Sequence, residues 1–439
     1  MNSIHQTIDI SKVWSGHPVS FDLITKGQQQ FVAFYDSERR MTVGQRDINE
    51  EIFKLVRLEG IWLEGRERLS TEIGWDSHNY VTMAIDKNGY IHLCGNMHVD
   101  PLIYFRTTKP LDITTFERID FMVGKNETRC TYPVFLEGPN GELIFNFRDG
   151  SSGNGVDYYN CYDENSKSWS RLVDQPILDG MDQMNAYART PKIGPDGYYH
   201  MIWMWRDTGG CSANHDISYA RSADLVNWEA GNGTPIKLPI TIEDTSTIID
   251  PCPPGGGLIN MCQSLGFDSK KRPIVSYHKN DSNPYTQAYA ARLENGEWKI
   301  YQISDWNYLW AFEGPGSIAA EIQLGGAQIR SEGNLAMSWW HIKEGSGMWK
   351  LDENTMEIIG DYPQSMLDIP EDYHRAAPNI AKEIFQSELD HHHTEIKTQW
   401  GRGDTNNKKH LLVWETLPHN RDQSKQSAPP PSTLKLHIF

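Results

Sequence analysis

The chain has 439 residues, of which 38% are hydrophobic and 23% charged, and this composition excludes an intrinsically disordered protein. The formal net charge of −17 argues against non-specific binding to nucleic acid or to an anionic membrane surface, because both require a basic field. No apolar stretch of the sequence is long enough to span a membrane.

The N-terminal residues and the cysteines say little about the cellular location of the protein. Residues 1–16 lack a basic segment followed by an apolar run, so we expect no signal peptide. The protein is then expected to be cytoplasmic, or secreted after removal of such a segment, and monomeric. The six cysteines have no Cys-x-x-Cys spacing, and most of them lie in strand-like contexts that favour buried thiols.

Short β-rich segments that follow turn signals recur along the whole chain, while helical periodicity is nearly absent. Each copy is a turn followed by aromatic and β-branched residues. The seven copies occupy residues 30–35, 88–93, 140–147, 196–203, 271–277, 333–340 and 409–414. Seven irregular repeats predict an all-β fold, a seven-bladed β-propeller, in which each small sheet buries both faces against its neighbours and radial closure protects the edges.

We predict a single propeller domain over residues 1–423, followed by a polar, proline-rich and loosely ordered tail over residues 424–439. A second repeat signal supports the propeller. Ser222, Asp224 and Trp228 have the spacing of an Asp-box hairpin, in which the aspartate caps a turn and the tryptophan packs beneath it.

Two histidines flank the second repeat. His78, followed by Asn79, lies in a polar loop before a strand, and His98 follows the next strand. They are separated by about one strand, a turn and another strand, a hairpin that returns the chain to the same end of the sheet. Both histidines can therefore lie on one rim of the propeller. The alternative is two unrelated polar loop residues, although loops on a rigid scaffold often carry function.

The next two repeats place arginines and a tyrosine at the same rim. Arg129 precedes a strand, and Arg148 ends one before a glycine-rich loop; no helix follows that loop, so it does not read as a phosphate loop. Arg148 is either held there by the tight loop or simply solvated. Tyr187 and Arg206 are again about one hairpin apart. Arg206 directly follows Trp205, which favours an enclosed guanidinium with a bidentate hold on a carboxylate.

This set of side chains indicates a particular chemistry. Two histidines, one tyrosine and up to three arginines from successive blades do not match the carboxylate pair of glycosidases. A lyase acting on a uronic acid must remove the proton at C5, neutralise the adjacent carboxylate and protonate the oxygen that leaves C4. Arginine or histidine suits neutralisation, and histidine or tyrosine suits the base and the acid.

The stretches His78-Asn79, 95–98 and 147–153, and Tyr187 with Arg206, resemble the BNR-4-type seven-bladed propeller family that includes polysaccharide lyases. The sequence looks like the rhamnose–glucuronate lyases of gum arabic and arabinogalactan, and like the ulvan lyases. The resemblance covers most of the chain and weakens in the last two blades. It implies β-elimination at the L-rhamnose-α-1,4-D-glucuronate bond, which leaves an unsaturated uronate. Exo release of rhamnose caps is favoured, with endo cleavage of ulvan as the alternative.

The resemblance also implies roles for residues. The catalytic set is His78, His98, Tyr187 and Arg206, and the substrate-binding set is Asn79, Arg129, Arg148 and Trp205. His98 would be the C5 base or share that task, and His78 would hold the glucuronate carboxylate. Tyr187 would be the acid to the leaving oxygen or the base of a syn elimination, and Arg206 would neutralise charge. The histidine and tyrosine assignments stay open, because coupled groups need not have separable pKa values.

The resemblance implies no cofactor for catalysis, but some propellers of this group carry a structural metal, here zinc or calcium. The candidate ligands are Cys211, His215, Cys262 and His278. Their spacing matches no recognised zinc motif, so the alternative of ordinary loop and strand residues is favoured. A further run of histidines at 391–393 could line the central channel and contact a ligand or a metal.

Three other functions fit the same fold. A glycoside hydrolase, such as a rhamnosidase or a sialidase-like enzyme, would use the nearest carboxylates, Asp76 and Asp100. A carbohydrate-binding propeller without catalysis would rely on the 15 tryptophans and 19 tyrosines. A dehydratase would eliminate water from a terminal glucuronate.

Overall fold

The computed structural model describes residues 4–330, 333–363, 395–404 and 408–439, so the histidine run at 391–393 lies outside the described residues. Strands dominate the described part, which confirms the all-β prediction. Its helical segments are 3-10 turns of three residues each, at Ile113–Thr115, Cys211–Ala213 and Thr245–Thr247. None of the helical segments in the described ranges is long and apolar enough to cross a membrane.

In the described part of the chain, the main strands form seven antiparallel units of four strands, which we number as blades in chain order. Blade 1 contains Asp22–Lys26, Gln29–Tyr35, Met41–Asp47 and Lys54–Arg57. Blade 2 contains Val81–Ile85, Ile91–Gly95, Tyr104–Thr107 and Phe116–Ile119. Blade 3 contains Cys130–Glu137, Leu143–Ser151, Asn154–Asp163 and Ser168–Arg171. Blade 4 contains Asn185–Ala188, Tyr199–Arg206, Asn214–Ser222 and Trp228–Glu229.

The last three blades follow the same plan. Blade 5 contains Ser264–Phe267, Pro273–Asn280, Thr286–Glu294 and Glu297–Gln302. Blade 6 contains Gln328–Ile329, Leu335–His341, Gly345–Leu351 and Ile358–Asp361, and one parallel bridge between Phe267 and Gln328 joins it to blade 5. Blade 7 contains Glu395–Trp400, His410–Thr416, Ser432–Ile438 and Gln6–Val13.

Short strands extend this frame. Trp62–Leu63 pairs with Arg68–Leu69 as a separate hairpin between blades 1 and 2. The others add to the blades and are His98–Asp100, Leu178–Asp179, Lys192–Ile193, Pro235–Ile236, Ile248–Asp250, Ile322–Leu324 and Arg402–Gly403. The first strands of blades 1, 2 and 3 contact one another in succession, as strands around a common axis must.

Each of the seven sequence repeats corresponds to the second strand of a blade. These strands lie in the interior of their sheets and pack on both faces, so they are rich in aromatic and aliphatic side chains. In blade 4 every residue of Tyr199–Arg206 is buried. The turn signal before each repeat is the connection from the first strand. The predicted Asp-box turn also forms: Asp224 Oδ1 accepts hydrogen bonds from the backbone N–H groups of Val226 (2.9 Å) and Asn227 (2.7 Å).

The two ends of the chain meet in blade 7, which corrects the predicted C-terminal tail. Ser432–Ile438 lies between the N-terminal strand Gln6–Val13 and the strand His410–Thr416, and it pairs with both. Leu434 and Leu436 are fully buried there. The proline-rich composition of residues 428–431 does describe a connection, but the last strand completes the ring because it satisfies backbone groups of both neighbours.

We expect Leu436→Ala to lower the free energy of unfolding by about 2–5 kcal/mol, because a fully buried side chain in the closing strand is removed. Its neighbour Lys435 makes only an ion pair with the exposed Asp9 (3.1 Å), so Lys435→Ala should cost less than about 1 kcal/mol. Urea unfolding of both variants measures the difference. Equal stabilities would mean that the C-terminal strand does not close the ring.

Candidate active site

His78 and His98 meet at one rim of the propeller. His78 lies just before the first strand of blade 2, and His98 lies just after the second strand, so both emerge at the same end of the sheet. Their rings stack with centroids 4.0 Å apart and an interplanar angle of 25°. Their side chains are 20% and 26% exposed, which leaves both rings open to a ligand.

A single carboxylate lies against both histidines. Asp76 Oδ1 is 2.7 Å from His78 Nδ1, and Asp76 Oδ2 is 2.5 Å from His98 Nδ1. Burial alone would raise the pKa of Asp76, but the hydrogen bonds from the two imidazoles outweigh it and hold that pKa well below its ordinary value. Burial lowers the pKa of His98, with the neighbouring His78 acting in the same direction and the contact to Asp76 opposing it.

Tyr187 and Arg206 come together on blade 4. Arg206 Nη1 donates to the Tyr187 hydroxyl (3.3 Å), and Ser152 Oγ lies 2.6 Å from the same hydroxyl. The other Arg206 donors bind the backbone carbonyls of residues 208–210 and the side chain of Asn260. Because protein acceptors already take these donors, Arg206 holds a loop and a tyrosine instead of offering the free bidentate clamp that the sequence predicted.

Arg148 differs from Arg206 in how its guanidinium donors are used. It is only 2% exposed, and within the described residues none of its three guanidinium nitrogens makes a hydrogen bond of ordinary geometry, although the group lies close enough to the Tyr187 hydroxyl to lower its pKa. Its Cζ atom lies 5.0 Å from the ring centroid of Tyr132 and 5.8 Å from that of Tyr187. Cation–π contacts hold the charge between the two rings. A buried guanidinium with unused donors is a ready partner for a carboxylate.

Tyr132 belongs to the site, although it was not predicted from the sequence. Its ring centroid lies 5.6 Å from that of His78 and 6.0 Å from that of Tyr187, so it connects the histidines with the arginine–tyrosine group. Tyr132 is the third residue of the first strand of blade 3, and Tyr187 is the third residue of the first strand of blade 4. The equivalent positions of these two tyrosines in successive blades were a signal by which Tyr132 could have been found from the sequence.

The backbone beside these side chains is strained. Val99 and Tyr132 have φ angles of 59° and 58°, in the left-handed region that non-glycine residues seldom adopt. The pairing of His98–Asp100 with Cys130–Glu137 is irregular at Val99. The pairing of Cys130–Glu137 with Leu143–Ser151 is irregular around Tyr132. Such strain costs about 1–3 kcal/mol per residue and typically clusters at functional sites.

A two-residue turn sets the position of Ser152. Ser151 pairs with Asn154 across the hairpin, so Ser152 and Gly153 form its tip. Gly153 has a φ of 80°, and a Cβ atom there would lie 2.8 Å from the carbonyl oxygen of Asp207 in blade 4. Only glycine permits this close approach, which brings the Ser152 hydroxyl to Tyr187.

The two tyrosines differ in acidity. Burial would raise the pKa of Tyr187, but the positive charges of Arg148 and Arg206 outweigh burial, so its pKa lies below the ordinary value. Burial raises the pKa of Tyr132 well above the ordinary value, and the neighbouring Tyr187 adds to this increase. Two neighbouring groups with pKa values shifted in opposite directions form a natural proton acceptor and proton donor.

Two of the predicted substrate-binding residues, Trp205 and Asn79, lie differently from expectation. Trp205 is fully buried in the apolar core, packed near Trp203, so it offers no platform to a sugar. Asn79 is 1% exposed, and its backbone carbonyl accepts a hydrogen bond from Tyr35 Oη (2.6 Å). Arg129 is exposed beside the site, immediately before the first strand of blade 3.

The predicted metal ligands do not assemble. Among the described side chains, the one group of three or more histidines, cysteines or acids with ligand atoms within 4.8 Å is Asp76, His78 and His98. His215 instead bonds to carboxylates at both ring nitrogens, Asp207 (2.9 Å) and Asp216 (3.0 Å). Cys211 belongs to an apolar cluster, against which Cys262 packs. His278 is buried against Trp310.

Seven blades with an acid–base cluster of histidines, tyrosines and arginines at one rim define a propeller protein with a candidate active site. The sequence profile described as "BNR repeat-containing family member" matches residues 29–306, well over half of the chain. The chain therefore belongs to this family.

Individual relatives agree with the family. An ulvan lyase of Alteromonas sp. (strain LOR) is 22% identical over 331 residues, which is 62% of this chain and 62% of that protein. A short isoform of ulvan lyase from the same strain is 27% identical over 143 residues, 29% of this chain and 26% of that protein. The chain thus spans less than two thirds of the length of these relatives.

Solved structures show the same fold over the whole chain. The polysaccharide lyase Uly1 superposes with a TM-score of 0.64 at 12% identity, covering 99% of both chains. An ulvan lyase of family PL25, in a structure bound to -[GlcA(1-4)Rha3S]-, has a TM-score of 0.57 at 13% identity and covers 99% of this chain and 95% of its own. These likenesses establish the propeller fold of polysaccharide lyases.

The lowered pKa of Tyr187 has a direct optical consequence. We expect one tyrosine of the native protein to ionise at lower pH than ordinary tyrosines, because positive charge from Arg148 and Arg206 stabilises its phenolate. In Arg148→Gln this ionisation should move to higher pH. Ultraviolet titration of tyrosinate absorbance measures both. Tyr187→Phe should remove the early ionisation and Tyr132→Phe should retain it; an early ionisation that survives in Tyr187→Phe would contradict the assignment.

Proposed function

We propose that the chain is a polysaccharide lyase that cleaves the bond between L-rhamnose and D-glucuronate by β-elimination. The names of the relatives support a lyase, and the ligand of one structural neighbour contains both sugars. The observation that carries the proposal is the pairing of Tyr187 and Tyr132, whose pKa values are shifted in opposite directions beside the unpaired guanidinium of Arg148. Elimination from a uronate needs these three functions.

The proposed reaction begins with neutralisation of the glucuronate carboxylate. Arg148 donates to it from its unused nitrogens, and the imidazoles of His78 and His98 contribute further hydrogen bonds. This lowers the cost of the negative charge that develops on the carboxylate when the C5 proton departs. The net charge of the chain is −17, so this attraction has to be local, and the buried guanidiniums provide it.

Proton transfer then involves the two tyrosines. The Tyr187 phenolate takes the proton from C5, and the electron pair of that C–H bond forms the double bond between C4 and C5. The C4–O bond breaks, and Tyr132, which stays protonated, gives its proton to the departing rhamnose oxygen. The products are a 4,5-unsaturated uronate and a free hydroxyl on rhamnose, and no oxidant or reductant is consumed.

The geometry weighs against hydrolysis by the two nearest carboxylates. Both oxygens of Asp76 are hydrogen-bonded to imidazoles, and its low pKa prevents it from serving as a general acid. Asp100 is 2% exposed and paired with Arg66 (2.6 Å). Neither carboxylate is available for the acid and base roles of a glycosidase.

Two substrates remain for this bond. The names of both relatives favour ulvan as the polymer. The resemblance of the sequence to rhamnose–glucuronate lyases favours exo release of rhamnose caps from gum arabic or arabinogalactan. Incubation of the protein with each polymer, followed by ultraviolet absorbance of the unsaturated uronate and by free rhamnose, separates them. An increase in absorbance together with free rhamnose indicates an exo lyase. An increase in absorbance on ulvan without free rhamnose indicates an endo lyase. Free rhamnose without absorbance would rule out elimination.

Replacement of the proposed base or acid should abolish most turnover. We expect Tyr187→Phe and Tyr132→Phe each to lower kcat by about 10²- to 10⁴-fold on the polymer that the native protein cleaves, because a proton-transfer group is lost. Tyr159→Phe is the matched control, since Tyr159 in blade 3 is as buried as Tyr187, and within the described residues its hydroxyl bonds only to Met201 Sδ. Initial rates of absorbance increase provide the measurement. Normal activity of Tyr187→Phe would leave His98 as the base.

A further inference from the structure

Asp76 lies in a loop that other parts of the ring hold in place. Its Oδ1 accepts a hydrogen bond from the backbone N–H of His78 (2.9 Å), which closes a local turn. The next residue, Ser77, donates its backbone N–H (3.0 Å) and its hydroxyl (2.8 Å) to Asp422 in a blade 7 loop. Asp422 also accepts from the backbone N–H of Ser317 (2.7 Å). The loop that carries Asp76 is thus held by Asp422 and, through Asp422, by the segment that contains Ser317.

The contacts of this carboxylate define which imidazole nitrogens carry hydrogen. An aspartate is ionised at neutral pH, and an ionised carboxylate only accepts hydrogen bonds. Its two oxygens face the Nδ1 atoms of His78 and His98, one oxygen to each ring. Each Nδ1 atom must therefore be a donor. A second carboxylate, Asp422, lies 3.8 Å from His78 Nδ1 and favours the same arrangement.

The Nε2 atoms of His78 and His98 are the ring nitrogens that Asp76 does not contact. Within the described residues neither Nε2 atom makes a hydrogen bond to protein, and both side chains are partly exposed. If Nδ1 carries the hydrogen in a neutral ring, Nε2 is an acceptor; if the ring is charged, Nε2 is a donor. In both cases the reactive nitrogen is Nε2.

We infer that Asp76 is a positioning residue that holds His78 and His98 in the same Nδ1–H tautomer, so that both Nε2 atoms serve the uronate substrate. The inference rests on the proposed function for the identity of the substrate, but the tautomers themselves follow from the hydrogen bonds alone. A carboxylate that orients an imidazole fixes its tautomer and ring angle, and here one carboxylate does so for two stacked rings.

The test is Asp76→Asn, which keeps the shape of the side chain but replaces one acceptor oxygen by an NH2 donor. One of the two histidines must then change to the Nε2–H tautomer. Long-range ¹⁵N–¹H correlation spectra should show Nδ1–H for both His78 and His98 in the native protein, and for one of these two rings in the variant. On the cleaved polymer, kcat should fall by about 10²- to 10³-fold while KM changes by less than about threefold, because a donor to the developing negative charge is lost.

Asp100→Asn is the matched control. Asp100 accepts a hydrogen bond from the backbone N–H of His98 (3.1 Å) and not from its ring, so the tautomers of His78 and His98 should remain unchanged. A merely structural Asp76 would tolerate asparagine, whereas the positioning role makes Asp76→Asn as damaging as Asp76→Ala. Asp76→Glu should recover part of kcat, since it restores two acceptors.

Three results would overturn the inference. The first is an Nε2–H tautomer for either ring in the native spectrum, and the second is an Asp76→Asn protein with native spectra or native kcat. The third is a stoichiometric metal ion in the purified protein whose removal with EDTA shifts both imidazole signals, since the three side chains would then be its ligands. A native protein that cleaves none of the polymers would refute the proposed function alone, because the spectra still decide the tautomers.

Discussion

The pairing of the two chain ends in blade 7 is the constraint on which the rest of the structure depends. Gln6–Val13 and Ser432–Ile438 share one sheet, so the last blade cannot form without both. Closure of the ring brings the second-strand ends and first-strand starts of neighbouring blades to the same rim. The polar side chains at these positions then converge, although they lie far apart in the sequence.

Burial determines how strongly the side chains at this rim alter one another's pKa values. In water, two arginines beside two tyrosines would change little, but in a region of low effective dielectric constant their charges alter proton affinities substantially. Arg148 and Arg206 lower the pKa of Tyr187, while burial raises that of Tyr132. The aromatic residues therefore have two separate uses. Tryptophans such as Trp203 and Trp205 fill the core, and tyrosines surround the charges at the rim.

Tautomer control adds a second layer to the site. The histidines come from the two ends of one hairpin, but the group that orients them belongs to a loop that Asp422 in blade 7 and the region of Ser317 hold in place. The side chains that face the substrate and those that position them thus come from different parts of the chain. Strain at Val99 and Tyr132 fits this picture, because the surrounding sheets hold a backbone geometry that isolated residues would avoid.

The sequence by itself determined the seven second strands, because a strand buried on both faces requires a continuous run of apolar and β-branched residues after a turn. It also determined that His78 and His98, and Tyr187 and Arg206, share a rim, since strand length and hairpin geometry are local properties. Only the tertiary structure decided that Arg206 is occupied while Arg148 is unpaired, that Tyr132 joins the site, that Trp205 is core and that the last strand closes the ring. These outcomes depend on contacts between distant segments, and no local pattern of side chains encodes which donor or acceptor a folded neighbour will use.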